Sequence, residues 1–87
     1  MDDETLVQLV YITIASNRKK VLKAFKGEDT LTPTEISKKS SLHKNTVSGN
    51  LKKLRERDYV YVINPDFSRP RLYRLTGKGK KILGLLD

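Results

Sequence analysis

The chain has 87 residues, enough for one modest core and too few for a separate catalytic or ligand-binding domain, so residues 1–87 are expected to form one module. Its 18 Lys plus Arg against 10 Asp plus Glu, a formal charge of +8, favour a polyanionic partner such as nucleic acid. The lack of cysteine excludes disulfides, thiolate metal ligands and cysteine nucleophiles; with one histidine and no Gly-rich phosphate loop or paired carboxylates, no metal, cofactor or enzyme activity is expected.

The N-terminus opens Asp2-Asp3-Glu4, the reverse of a basic signal-peptide start, and the apolar run 9–15 is too short to span a bilayer. A cytoplasmic protein with no membrane partner is expected. A first helix is predicted over 3–15, with acids in its first turn and Leu6, Val10 and Ile14 recurring at i, i+4, i+8. Its many β-branched residues leave a strand as the alternative. Ser16 or Asn17 can cap a second helix over 18–26, in which Val21, Leu22 and Phe25 form the buried stripe and Gly27 the C-cap.

The segment Leu31-Thr32-Pro33-Thr34-Glu35 is a strong helix start: Thr32 caps, Pro33 takes the first helical position and Glu35 completes a capping box. A short third helix follows, anchored by Ile36, then a tight turn at Ser40-Ser41-Leu42. A fourth helix is predicted over 44–57, with His43 near its cap and Val47, Leu51 and Leu54 facing inward. Two short helices joined by such a turn, the second longer and basic, describe a helix-turn-helix over 33–57. Beyond Asp58 the period changes. A hairpin is predicted over 59–75, with turn chemistry at its tip, and Thr76 caps a last helix over 77–86 whose glycines at 77 and 79 weaken its start. The fold class is therefore mostly α with a small β-hairpin wing.

The stretches LTPTEISKKSSLHKNTVSGNLKKLRERDYVYVI and RPRLYRLTGKGKKIL carry a resemblance. Their helix start, Thr-Val-Ser turn, Leu-x-x-Leu before a strand and Leu-Tyr-Arg-Leu-Thr into a Gly-Lys helix are similar to the winged helix-turn-helix regulators of the MarR-like and ArsR-like type, particularly the small archaeal versions. The resemblance implies a sequence-specific regulator of transcription that binds double-stranded DNA as a homodimer. The helix over 44–57 would enter the major groove and the wing, 64–71, would lie on the backbone or minor groove. The Cys-rich or His-rich metal sites of some ArsR-like proteins are missing.

Side-chain chemistry assigns the roles. Asn suits adenine and Lys suits guanine in the major groove, so Lys44, Asn45, Ser48 and the Gly49 backbone are the expected base-edge positions. Thr34, Lys38, His43, Thr46, Lys52, Lys53, Arg69 and Arg71 are expected on phosphates, the arginines being suited to phosphate forks and narrow grooves. Leu6, Leu9, Val10 and Ile14 with Ile82, Leu85 and Leu86 are the expected dimer interface, the alternative being that they complete the monomer core. Two other functions fit the composition: a protein-interaction module, and a nonspecific coat on nucleic acid.

Overall fold

Asp2 starts the first helix, its carboxylate accepting the Thr5 backbone N–H at 2.7 Å. Hydrogen bonding from Thr5, its side chain first and this N–H second, holds the Asp2 carboxyl below its ordinary value, so the cap is intact above the ordinary carboxylate range and is lost as pH falls through the lowered value. The computed structural model describes residues 1–65 and 70–86. Within them α1 spans Asp3–Thr13, α2 Ser16–Lys23, α3 Pro33–Ser40, α4 Lys44–Glu56, β1 Val60–Val62, β2 Tyr73–Leu75 and α5 Gly77–Leu85. The first segment is helical rather than a strand.

The second helix begins earlier than its polar residues suggest. Ala15 is extended and stands at the cap without a side-chain hydrogen bond, which puts Ser16 and Asn17 inside the first turn. The turn is tight because Ile14 keeps helical angles and the Arg18 guanidinium donates back to the Tyr11 carbonyl. After Lys23 the backbone continues in tight turns to Gly27, which takes the left-handed conformation, φ 76.

The third helix starts as its sequence indicates. The Glu35 N–H donates to Thr32 Oγ1 at 3.2 Å and the Thr32 N–H to Glu35 Oε1 at 2.8 Å, the latter holding the Glu35 carboxyl below its ordinary value. At the turn, Ser41 is left-handed, φ 60, without being glycine. Two serines hold it there: Ser40 Oγ donates to the Ile36 carbonyl and Ser37 Oγ to the Leu42 carbonyl, at 2.6 and 2.5 Å.

The two strands pair antiparallel with Val60 opposite Leu75, Tyr61 opposite Arg74 and Val62 opposite Tyr73. Leu31 joins the other edge of β2 through two backbone bonds with Tyr73, which ties the start of the helix-turn-helix to the hairpin. Asn64 closes the base of the wing, its Nδ2 donating to the Pro70 carbonyl and its Oδ1 accepting from Leu72 N–H. Val21, Leu22, Phe25, Ile36, Val47, Leu51, Leu54, Tyr59 and Ile82 fill one core in which α2 lies against α3 and α4.

The first helix has two apolar sides. Thr5 and Ile12 are buried inward, whereas Leu6, Val7 (68 % exposed), Val10 and Ile14 (77 %) project from the opposite side, with Leu85 exposed on α5. Ile82 departs from its expected interface role. It is 0 % exposed because α5 turns it into the core, so it has no surface to offer a partner. Leu9 and Leu86 are half-buried and pack against the core edge.

Candidate nucleic-acid interface

The inward stripe of α4, Val47, Leu51 and Leu54, fixes which residues face out. Asn45, Gly49, Lys52 and Lys53 lie on its outer side, all exposed, and Lys44 and Ser48 on the flank toward the wing. That row contains no acid until Glu56, in the last turn of the helix.

The cap of α4 uses the single histidine. His43 Nδ1 accepts the Asn45 N–H at 3.2 Å, which puts the proton on Nε2, exposed and able to donate to a phosphate. Asn50 is turned aside: its Nδ2 donates to the Thr46 carbonyl at 2.9 Å, so the amide runs along its own helix. Gly49 has open space where a side chain would stand, with nothing within 4 Å of an added Cβ. Alanine there should raise the melting temperature, since the helical penalty of glycine is about 1 kcal/mol. A simultaneous loss of DNA affinity would support close approach of the backbone to a base pair, and a gain would contradict it.

A cleft of about 460 Å³ separates the amino ends of α3 and α4 from the wing, lined by Thr34, Lys44, Ser48, Pro70, Arg71 and Tyr73. It brings together residues from three separate segments, of which Lys44 and Ser48 were expected at base edges and Thr34 and Arg71 at phosphates. Lys38 is exposed on α3 away from this cleft, and Thr46 is half-buried. Arg69 lies outside the described residues. Pro70 and Tyr73, with Pro33, form the apolar side of the cleft; sequence reads Pro70 as stiffening the wing and Tyr73 as sheet packing, and neither as a cleft wall.

Behind α4, Tyr11 stacks on Tyr59 with ring centroids 5.7 Å apart and planes at 9°. The guanidinium carbons of Arg18 and Arg57 lie 3.9 and 4.4 Å from the Tyr11 centroid, and Lys78 Nζ is 4.4 Å from that of Tyr59. Burial, with the neighbouring Tyr11, raises the Tyr59 hydroxyl above its ordinary value. Since Arg57 caps the carboxyl end of α4, this stack links α1 directly to the helix that carries the basic row.

Among the described residues, no group of three or more His, Cys, Asp or Glu is placed to hold a metal ion. No described helix is long and apolar enough to cross a membrane.

Residues 20–62 match the model of the IclR helix-turn-helix domain. Among solved structures, TubR from Bacillus thuringiensis serovar israelensis (pBtoxis), bound to 24 bp of tubC, superimposes with a TM-score of 0.80 at 22 % identity, covering 93 % of this chain and 89 % of that one. NMB1585, a MarR family regulator from Neisseria meningitidis, gives 0.73 at 30 % identity, covering 93 % and 62 %. Apo MarR from E. coli gives 0.73 at 26 %, covering 95 % and 63 %. The chain thus spans most of TubR but under two thirds of these two MarR proteins. No curated protein sequence matches it.

The fold is that of a winged helix-turn-helix, and the match to the helix-turn-helix domain covers just under half of the chain. In architecture it is similar to the MarR family proteins from Neisseria meningitidis and E. coli.

Proposed function

We propose that the protein acts as a homodimer on double-stranded DNA, α4 entering the major groove of each half-site and the wing following the backbone or minor groove. The observation that carries this reading is the acid-free, exposed row Asn45, Gly49, Lys52 beside the cleft that joins Lys44 and Ser48 to Arg71. Major-groove readout needs donors and acceptors on a slim helix, and this row supplies an amide, a hydroxyl, ammonium groups and a bare backbone patch. Thr34, Lys38, His43, Thr46, Lys52, Lys53, Arg69 and Arg71 serve phosphates, which set register without reading sequence. The role requires no catalysis, metal or cofactor, and it locates the protein with DNA in the cytoplasm, at the nucleoid.

The dimer is supported by the exposed stripe Leu6, Val7, Val10 and Ile14 with Leu85, an apolar surface that the monomer leaves wet. Dimerisation would set the two α4 helices one helical turn of DNA apart on an inverted repeat.

Two substitutions test the division of labour. Arg71→Ala is expected to weaken cognate and random duplexes by the same factor, whereas Asn45→Ala should cost about 1–3 kcal/mol on the cognate site and relax preference at one base position. Fluorescence anisotropy on a panel of single-base variants reads both. Equal losses on cognate and random duplexes for Asn45→Ala would remove it from the base-reading set.

A further inference from the structure

The arginines on the second arm of the hairpin divide between its two faces. Successive side chains of extended backbone point to opposite sides, so Arg71 and Tyr73 share one side and Arg74 takes the other. Arg71 and Tyr73 line the cleft beside Lys44 and Ser48, and Arg74 is absent from its lining. Arg74 turns instead toward the segment that joins α2 to α3. Its Nε donates to Thr30 Oγ1 at 2.8 Å, and its Nη2 lies 3.2 Å from Asp29 Oδ2.

The next residue of that segment, Leu31, exchanges two backbone hydrogen bonds with Tyr73, at 2.9 and 3.0 Å. Residues 29–31 therefore grip residues 73 and 74 through main chain and side chain together. Thr32, the cap of α3, follows directly, and Pro33 and Thr34 stand on the wall of the cleft. A backbone bridge at one residue pair fixes a distance but leaves the hairpin free to swing about it. Two contacts from one planar guanidinium to two residues remove that freedom, which the single point charge of a lysine on its flexible stem would not. Folding stability is not what the pair supplies. Its side chains are 40 % and 79 % exposed, and an ion pair this wet adds little to stability.

We propose that Arg74 is a positioning residue for DNA binding, locking the wing to the start of the helix-turn-helix so that Arg71 is held across the cleft from Lys44. The inference rests on the reading of α4 and the wing as the DNA surface. In this role Arg74 touches no phosphate itself.

The test separates position from charge, because Asp29→Ala makes the chain more cationic. Charge alone predicts tighter binding to DNA, and the clamp predicts weaker binding. Arg74→Lys and Thr30→Val leave the net charge unchanged while breaking the fork and one of its partners. Binding to a duplex is followed by fluorescence anisotropy between 50 and 200 mM salt. Arg74→Lys should approach the effect of Arg71→Ala, a loss of about eightfold per bound protomer at 100 mM salt with the salt slope smaller by about 0.9. Asp29→Ala and Thr30→Val should shift both quantities in the same direction by smaller factors. In an Arg71→Ala background none of the three should weaken binding further by as much as about twofold. Circular-dichroism melts should stay within about 4 °C of wild type; should Arg74→Lys or Thr30→Val melt lower, Asp29→Ala, at an exposed carboxylate, still gives the sign. Tighter or unchanged binding by Asp29→Ala would overturn the proposal whatever Arg74→Lys does. A loss for Arg74→Lys that persists undiminished in the Arg71→Ala background would overturn it too, since Arg74 would then act independently of Arg71. Wild type that binds no duplex at 50 mM salt would remove the DNA reading and the clamp with it, whereas wild-type binding with indifferent variants removes the clamp alone.

Discussion

Replacing Gly79 by alanine is expected to lower the melting temperature by about 10–20 °C, the largest stability loss foreseen for any change of a single methyl group here. An alanine Cβ at that position would stand 2.2 Å from the Tyr59 carbonyl oxygen and 3.2 Å from a Leu75 methyl. The carbonyl has no room to retreat. It accepts the Thr76 backbone N–H at 3.0 Å and Thr76 Oγ1 at 3.2 Å, and the same hydroxyl caps α5 by accepting the Gly79 N–H at 3.0 Å. Relieving the clash therefore loosens the junction of β1, β2 and α5 together, at a cost of about 2–3 kcal/mol. Gly77 is the internal control, with nothing within 4 Å of an added Cβ. Gly77→Ala should leave the melt unchanged or raise it slightly. Thermal denaturation followed by circular dichroism decides, and equal melts for the two variants would contradict the packing account.

Val10→Glu is expected to convert a dimer into a monomer and to weaken binding to an inverted-repeat duplex by at least about a hundredfold, because the second recognition helix no longer benefits from the first. Val10 sits centrally in the exposed stripe between Leu6, Val7 and Ile14, and it is absent from the buried core. A glutamate there stays in water in the monomer but would be desolvated without a partner in the interface. Affinity for a single half-site should change little, which distinguishes loss of dimerisation from damage to α4. Sedimentation velocity together with anisotropy on full and half sites reads the outcome. A wild-type protein that sediments as a monomer at tens of micromolar would sink the dimer and leave the α1 stripe for another partner.

Local signals in the sequence located the helix-turn-helix well. The Thr32–Glu35 box, the His43 cap, the serine-held turn and the Thr76 cap each depend on residues within five positions of one another, so their chemistry can be read from spacing alone. The exposed row of α4 follows in the same way from its buried stripe. What depended on tertiary neighbours was hidden. Gly79 looks like a weak helix start until the Tyr59 carbonyl is placed against it. Residues 11 and 59 carry no mark in sequence that their rings stack. The first helix is apolar around most of its circumference, so its periodicity does not separate the core side, Ile12, from the exposed one, which includes Val7; on α5, Ile82 and Leu85 are both apolar, and only packing shows that Ile82 is the one in the core. The cleft between α4 and the wing likewise needed the Leu31–Tyr73 bridge, which swings Arg71 toward Lys44 from a distant part of the chain.

Selection of bound duplexes from a random pool, read by sequencing, tests the central claim most directly. A sequence-reading dimer predicts enrichment of an inverted repeat whose half-sites lie about one helical turn, roughly 10 bp, apart. A pool that binds but yields no enriched sequence would contradict it, and would make the row on α4 a backbone-gripping surface.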